Sequence, residues 1–258
     1  MTQPVTVADE LSNTLIDMLT SGAEMPEMEF YRCIRKIENL QDRYSEAYLK
    51  ALANAVYGRY DDAVAFFETA LSQEQDLVIA QNYIVYLFEY GSLKDVQELT
   101  NRVADKFVSK TILRHAWESH LFTGEIEQAL KYASKIIKIT DGEEAEAMSQ
   151  IASQALAETN YFKERAGLSD QEFKEIASCM TTILAARKIR PVSLAFHSIN
   201  EENTNAYVMT VESEDAGLLA EMNMEVAFTL AGIDALIGKN FSAWFEGGVR
   251  EEADYASN

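Results

Sequence analysis

Three glycines, Gly58, Gly91 and Gly124, stand 33 residues apart. That interval constrains the fold more than any other feature, because a fixed period of this size marks stacked supersecondary units. The neighbours keep step with the glycines. Two residues on stand Tyr60, Leu93 and Ile126; five on, Ala63, Val96 and Ala129; twelve on, Ala70, Val103 and Ile136. In the stretch after Gly58, Asp61 and Asp62 open a helix, and Ala63, Phe66, Phe67, Ala70 and Leu71 follow the spacing of one apolar stripe. Each unit therefore reads as helix, glycine turn with left-handed backbone, and second helix, and neither helix can bury its stripe without a neighbour.

Over residues 44–141 this pattern resembles the tetratricopeptide repeat family. The resemblance rests on the glycine before the second helix, the bulky residue two later, the small residue five later, and the Ala70–Leu71 pair. The units depart from the family as well. Its first-helix Trp position holds Ala47, Ala80 or Leu113, its first-helix Gly position holds Ala51, Ile84 or Trp117, and its closing Pro is missing. The resemblance implies a solenoid of helical hairpins that holds a protein segment on the concave surface formed by the first helices. Carried over residue by residue, the protein-binding positions are Tyr48, Leu49 and Leu52 in the first unit, Gln81, Asn82, Val85 and Glu89 in the second, and Arg114, His115, Glu118 and Phe122 in the third. Asn82 stands at an asparagine position of the carboxylate-clamping members. Tyr48 and Leu52 replace that clamp's basic and amide groups, so capture of a C-terminal carboxylate is not implied.

Flanking helices extend the array. The segments 6–22 and 26–42 give two amphipathic helices, with Pro26 suited to the first turn of the second. Residues 142–162 and 169–188 give another pair, the latter opened by a Ser169 cap with Glu172 three later. The helical repeat domain is thus expected over residues 1–188. At Pro191 the pattern changes. "VSLAFHSI" and "NAYVMTVE" alternate like two strands joined by the polar turn "NEENT", a helix follows Ser213, Glu214 and Asp215, and "NFSAWFEGG" alternates again. The expected fold class is mostly α, a TPR-like α-solenoid followed by a small α+β module of ββαβ order over 191–250. The sheet is too small to hold a core alone, so it is expected to lie on the last solenoid helices. Residues 251–258 form an acidic tail expected to be disordered.

Charge and chemistry narrow the function. With 42 acidic and 22 basic residues the formal net charge is −20, which repels nucleic acid and anionic membranes and attracts a basic protein. From Pro191 onward there are 12 acidic residues against Lys239 and Arg250 alone. Cys33 and Cys179 stand far apart without a CxxC neighbour, and no apolar run or cationic leader marks a membrane span or secretory signal, so a cytoplasmic protein is expected. His115 and His120, five apart, cannot share a helix face, which excludes them as a metal pair, whereas His115 and Glu118 form a local polar pair. Phosphate-binding and dinucleotide motifs are missing, and no cofactor is expected.

The first expectation is a non-enzymatic interaction protein, of adaptor, scaffold or chaperone type, binding a protein segment in its groove, with the C-terminal module as a second contact or a homodimer interface. The alternative is an acidic neutralising inhibitor, immunity protein or antitoxin, of a basic nucleic-acid-binding protein. An enzyme with an unfamiliar site near His197 is a third.

Overall fold

The computed structural model describes residues 6–40, 43–199 and 204–248. It is mostly helical, with eleven α-helices and one three-stranded sheet among the described residues. Of the expected turn "NEENT", residues 200–203 lie outside the described residues and Thr204 opens a strand; the acidic tail at 251–258 also lies outside them. The chain divides into two units, Met1–Tyr86 and Leu87–Asn258, and the division falls inside a helix, α5 (Leu77–Tyr90).

The first unit holds α1 (Val7–Thr20), α2 (Glu27–Glu38), α3 (Arg43–Tyr57), α4 (Tyr60–Gln73) and the start of α5. Thr6 and Asp9 close a capping box on α1, while Pro26 sits one step earlier than expected, at the N-cap of α2. Both α1 and α2 lie against α3, which in turn packs on α4. Ala51 and Ala53 of α3 and Ala63 and Ala70 of α4 are buried and small, which lets those helices come close. Phe67 fills the seam, stacked on Tyr83 with ring centroids 4.9 Å apart. At the corner between α3 and α4, Gly58 has φ +83°, its N–H bonds Ala55 O, and Arg59 N–H bonds Asn54 O. That is the left-handed helix stop expected from the sequence. The Arg59 guanidinium lies 5.0 Å from the Phe30 ring and 5.1 Å from the Tyr57 ring, pinning the corner to α2.

In the second unit come the end of α5, then α6 (Leu93–Val103), α7 (Lys110–Phe122), α8 (Ile126–Ile139), α9 (Gly142–Ala166) and α10 (Asp170–Arg187). Successive helices pack, α6 on α7, α7 on α8 and α8 on α9. The corner between α7 and α8 repeats the first one. Gly124 has φ +76°, its N–H bonds Leu121 O, and Glu125 N–H bonds His120 O. The corner at Gly91 differs, because its φ is not positive. Its N–H stays in the helical ladder to Leu87 O, and Ser92 opens α6 through a capping box with Asp95. A side-chain cap there does the work that the left-handed residue does at the other two corners.

After α10 the chain forms β1 (Pro191–Ile199), β2 (Thr204–Glu212), α11 (Ala216–Ala231), a 3₁₀ turn at Asp234–Leu236 and β3 (Ser242–Gly248). This is the expected ββαβ order. The sheet runs β1-β2-β3, with β1 antiparallel and β3 parallel to the central β2. Of the three residues that precede α11, Asp215 is the cap, its Oδ1 accepting from the N–H groups of both Gly217 and Leu218. The inward face of the sheet presents Tyr207, Met209, Val211 and Phe245 to one core shared with Phe162, Phe173, Ile176 and Met180 of α9 and α10. The sheet does lie on the last helices, and Pro191 marks a change of secondary structure without a break in the core. Lys239 fastens the join. Its Nζ donates to Gly167 O at 2.6 Å and pairs with Glu172 at 2.8 Å.

Candidate protein-binding surfaces

The positions taken from the repeat register fall into two groups. Tyr48, Leu49 and Leu52 on α3 are buried, as are His115 and Phe122 on α7. Leu49 and Leu52 recur on the side of α3 that fills the seam with neighbouring helices, and Phe122 belongs to the core under the sheet. These five side chains build the scaffold. Gln81, Asn82 and Glu118 are half-buried, and Arg114 is exposed. Glu89 is engaged inside its own unit, where Arg190, just before β1, bridges it to Glu212. Arg187, in the last turn of α10, pairs with Glu225 at 2.5 Å, and Arg190 with its two carboxylates.

In the first unit α5 keeps a mixed aliphatic and amide face on the surface. Val78, Gln81, Asn82 and Val85 fall at i, i+3, i+4 and i+7 of α5, with Val78 53% and Val85 37% exposed. Asn82 is oriented from beneath, since its Nδ2 donates to the Tyr48 hydroxyl at 2.5 Å. That phenol is pushed above its usual range by burial, which the hydrogen bonds from Ser12 and Asn82 oppose. The result is two aliphatic side chains flanking two amides. Sequence reasoning missed Val78, although its place one turn before Gln81 and Asn82 was enough to find it.

His115 and Glu118 do stand side by side, with Nδ1 3.5 Å from Oε2 but no hydrogen bond between them, and the His115 ring packs 4.6 Å from Phe88. His120 belongs to a different arrangement, one without a local signature along the chain. Its Nδ1 lies 2.6 Å from Glu125 Oε2, its ring stacks on Tyr132 at 5.4 Å, and the Tyr132 hydroxyl donates to Asn101 Oδ1 at 2.9 Å. Gln97 adds bonds to Thr123 Oγ1 and Ser119 O at 2.7 and 3.1 Å. Burial holds the His120 imidazole below its ordinary value against the opposing pull of Glu125. The cluster ties α6, α7 and α8 together. His197 is exposed on β1.

A second exposed patch, also missed, lies on α11. Met224 is 57% and Phe228 78% exposed, one turn apart, with Glu221 one turn before Met224. The signal was an apolar run longer than a single buried stripe needs. Among the described residues, no group of three or more His, Cys, Asp or Glu side chains is placed to hold a metal ion, and no helix is long and apolar enough to cross a membrane. No protein-family model, curated protein or solved structure matches the chain.

Proposed function

We propose that the protein is a non-enzymatic interaction protein of the TPR-like helical-repeat kind, working in a reducing, cytoplasmic setting by holding a segment of another polypeptide. The observation that carries this reading is the α5 face, where Val78 and Val85 are exposed on either side of Gln81 and Asn82. An apolar pair bracketing amides suits an extended or amphipathic segment that inserts aliphatic side chains and offers hydrogen-bonding groups between them. The test is parallel affinity purification from native lysate with the parent chain and the double variant V78D/V85D, followed by mass spectrometry and titration of the recovered partner. A stoichiometric partner retained by the parent and lost by the variant supports the reading. The same proteins on both baits refute it.

The α11 patch favours a second reading, neutralisation of a basic target. Phe228 and Met224 stand in the part of the chain with 12 acidic and two basic residues, so an anchor is surrounded by charge that attracts cations. A second copy would bring two acidic surfaces together, which favours a basic partner over a homodimer. Binding to a basic nucleic-acid-binding protein that weakens steeply with salt and is lost in F228D supports this reading; salt-insensitive binding that tolerates F228D opposes it.

A further inference from the structure

In the first unit α1 and α2 both rest on α3, and between them lies a groove of about 450 Å³. Its α1 wall is mainly apolar, with Leu11, Leu15 and Met18 at i, i+4 and i+7 and Thr14 between them, and Met25 adds a further apolar side chain. The α2 wall carries Arg32, Cys33 and Lys36, with Glu29 one turn earlier. Arg32 and Lys36 are exposed and held in no ion pair with a described residue. In a chain of net charge −20, two cations one turn apart against the single carboxylate of Glu29 leave the groove lining with a positive excess beside its apolar floor.

We infer that this groove is a docking site for an acidic amphipathic helix of a partner protein. Each wall spans about two helical turns, roughly 10 Å, which matches a third helix laid lengthwise with apolar residues on the floor. Carboxylates at i and i+4 on the flank of that helix meet Arg32 and Lys36, which have the same spacing. The rest of this acidic surface repels such a segment, so the groove confers both attraction and placement. It is separate from the α5 face and differs from it in charge preference.

The test uses the full chain and two synthetic helical peptides of about 16 residues, one with leucines on one face flanked by glutamates, the other with lysine for every glutamate. Cys33 lines the groove and is partly accessible, whereas Cys179 is buried, so modification of Cys33 by a chromogenic disulfide reports occupancy. At a concentration about ten times its dissociation constant the acidic peptide is expected to slow modification about tenfold, and the lysine peptide to leave the rate unchanged. The surface variant R32E/K36E is expected to exchange these preferences, while Arg35→Glu, off the groove wall, behaves as the parent. V78D/V85D is expected to retain protection, which separates this site from the α5 face. Equal effects of both peptides on the parent chain, indifference to R32E/K36E, loss of protection in V78D/V85D, or equal protection by dodecanoate alone would each overturn the inference.

Discussion

At the scale of single residues, the two left-handed corners make unequal demands. A Cβ on Gly58 would meet nothing within 4 Å, whereas one on Gly124 would lie 3.0 Å from Ala177 Cβ and 3.2 Å from Phe173 Cε1. G58A is therefore expected to cost about 1 kcal/mol, the strain of the backbone alone. G124A adds steric overlap inside the core under the sheet and is expected to cost about 3 kcal/mol, both measured by urea unfolding. Glu172 supplies a second test. The ammonium of Lys239, and then the Ser169 N–H and hydroxyl it meets at the start of α10, hold its carboxyl down to about 2 from an ordinary 4.5. Because the folded value lies below the unfolded one, the stabilisation is complete above pH 4.5 and is lost as pH falls toward 2. Unfolding followed by circular dichroism across that window is expected to show a shallower acid limb for E172Q than for the parent.

Among elements, β3 shows how an edge strand is closed. Asn223 of α11 donates from Nδ2 to Phe245 O at 3.1 Å and accepts from Phe245 N–H at 2.6 Å, so a side-chain amide pairs the edge backbone as a neighbouring strand would. N223L is expected to lose about 2 kcal/mol through two unmet backbone groups and to self-associate, read by thermal melting and light scattering. The order of these elements was legible in the sequence because strand alternation, proline and acidic helix starts are local signals. The start of α11 was legible from Ser213, Glu214 and Asp215 together, but two of these are good caps, and only the reach of Asp215 to two N–H groups singles it out. At Gly91 a left-handed turn was expected from the period alone, while the neighbouring Ser92 and Asp95 supplied a different stop. The α5 face was partly legible, since Gln81, Asn82 and Val85 follow from the repeat register. The His120 cluster was not, because Gln97 and Asn101 reach it from another helix.

For the whole molecule, the net charge of −20 means that folding gathers like charges into a smaller volume. Raising sodium chloride from about 10 mM to about 0.5 M screens that repulsion and is expected to raise the melting temperature by about 3 °C, measured by scanning calorimetry. The division inside α5 had no counterpart in the sequence, because neither proline nor glycine interrupts Leu77–Tyr90. The change of grammar at Pro191 was plain, but it marks where helices give way to strands and says nothing of which side chains share an interior. The shared interior has a practical consequence for anyone cutting the gene. A fragment stopped at Lys188 would strip the lid from Phe162, Phe173, Ile176 and Met180, and is expected to accumulate as inclusion bodies or be cleared by proteases, whereas extending it through Gly248 restores soluble yield.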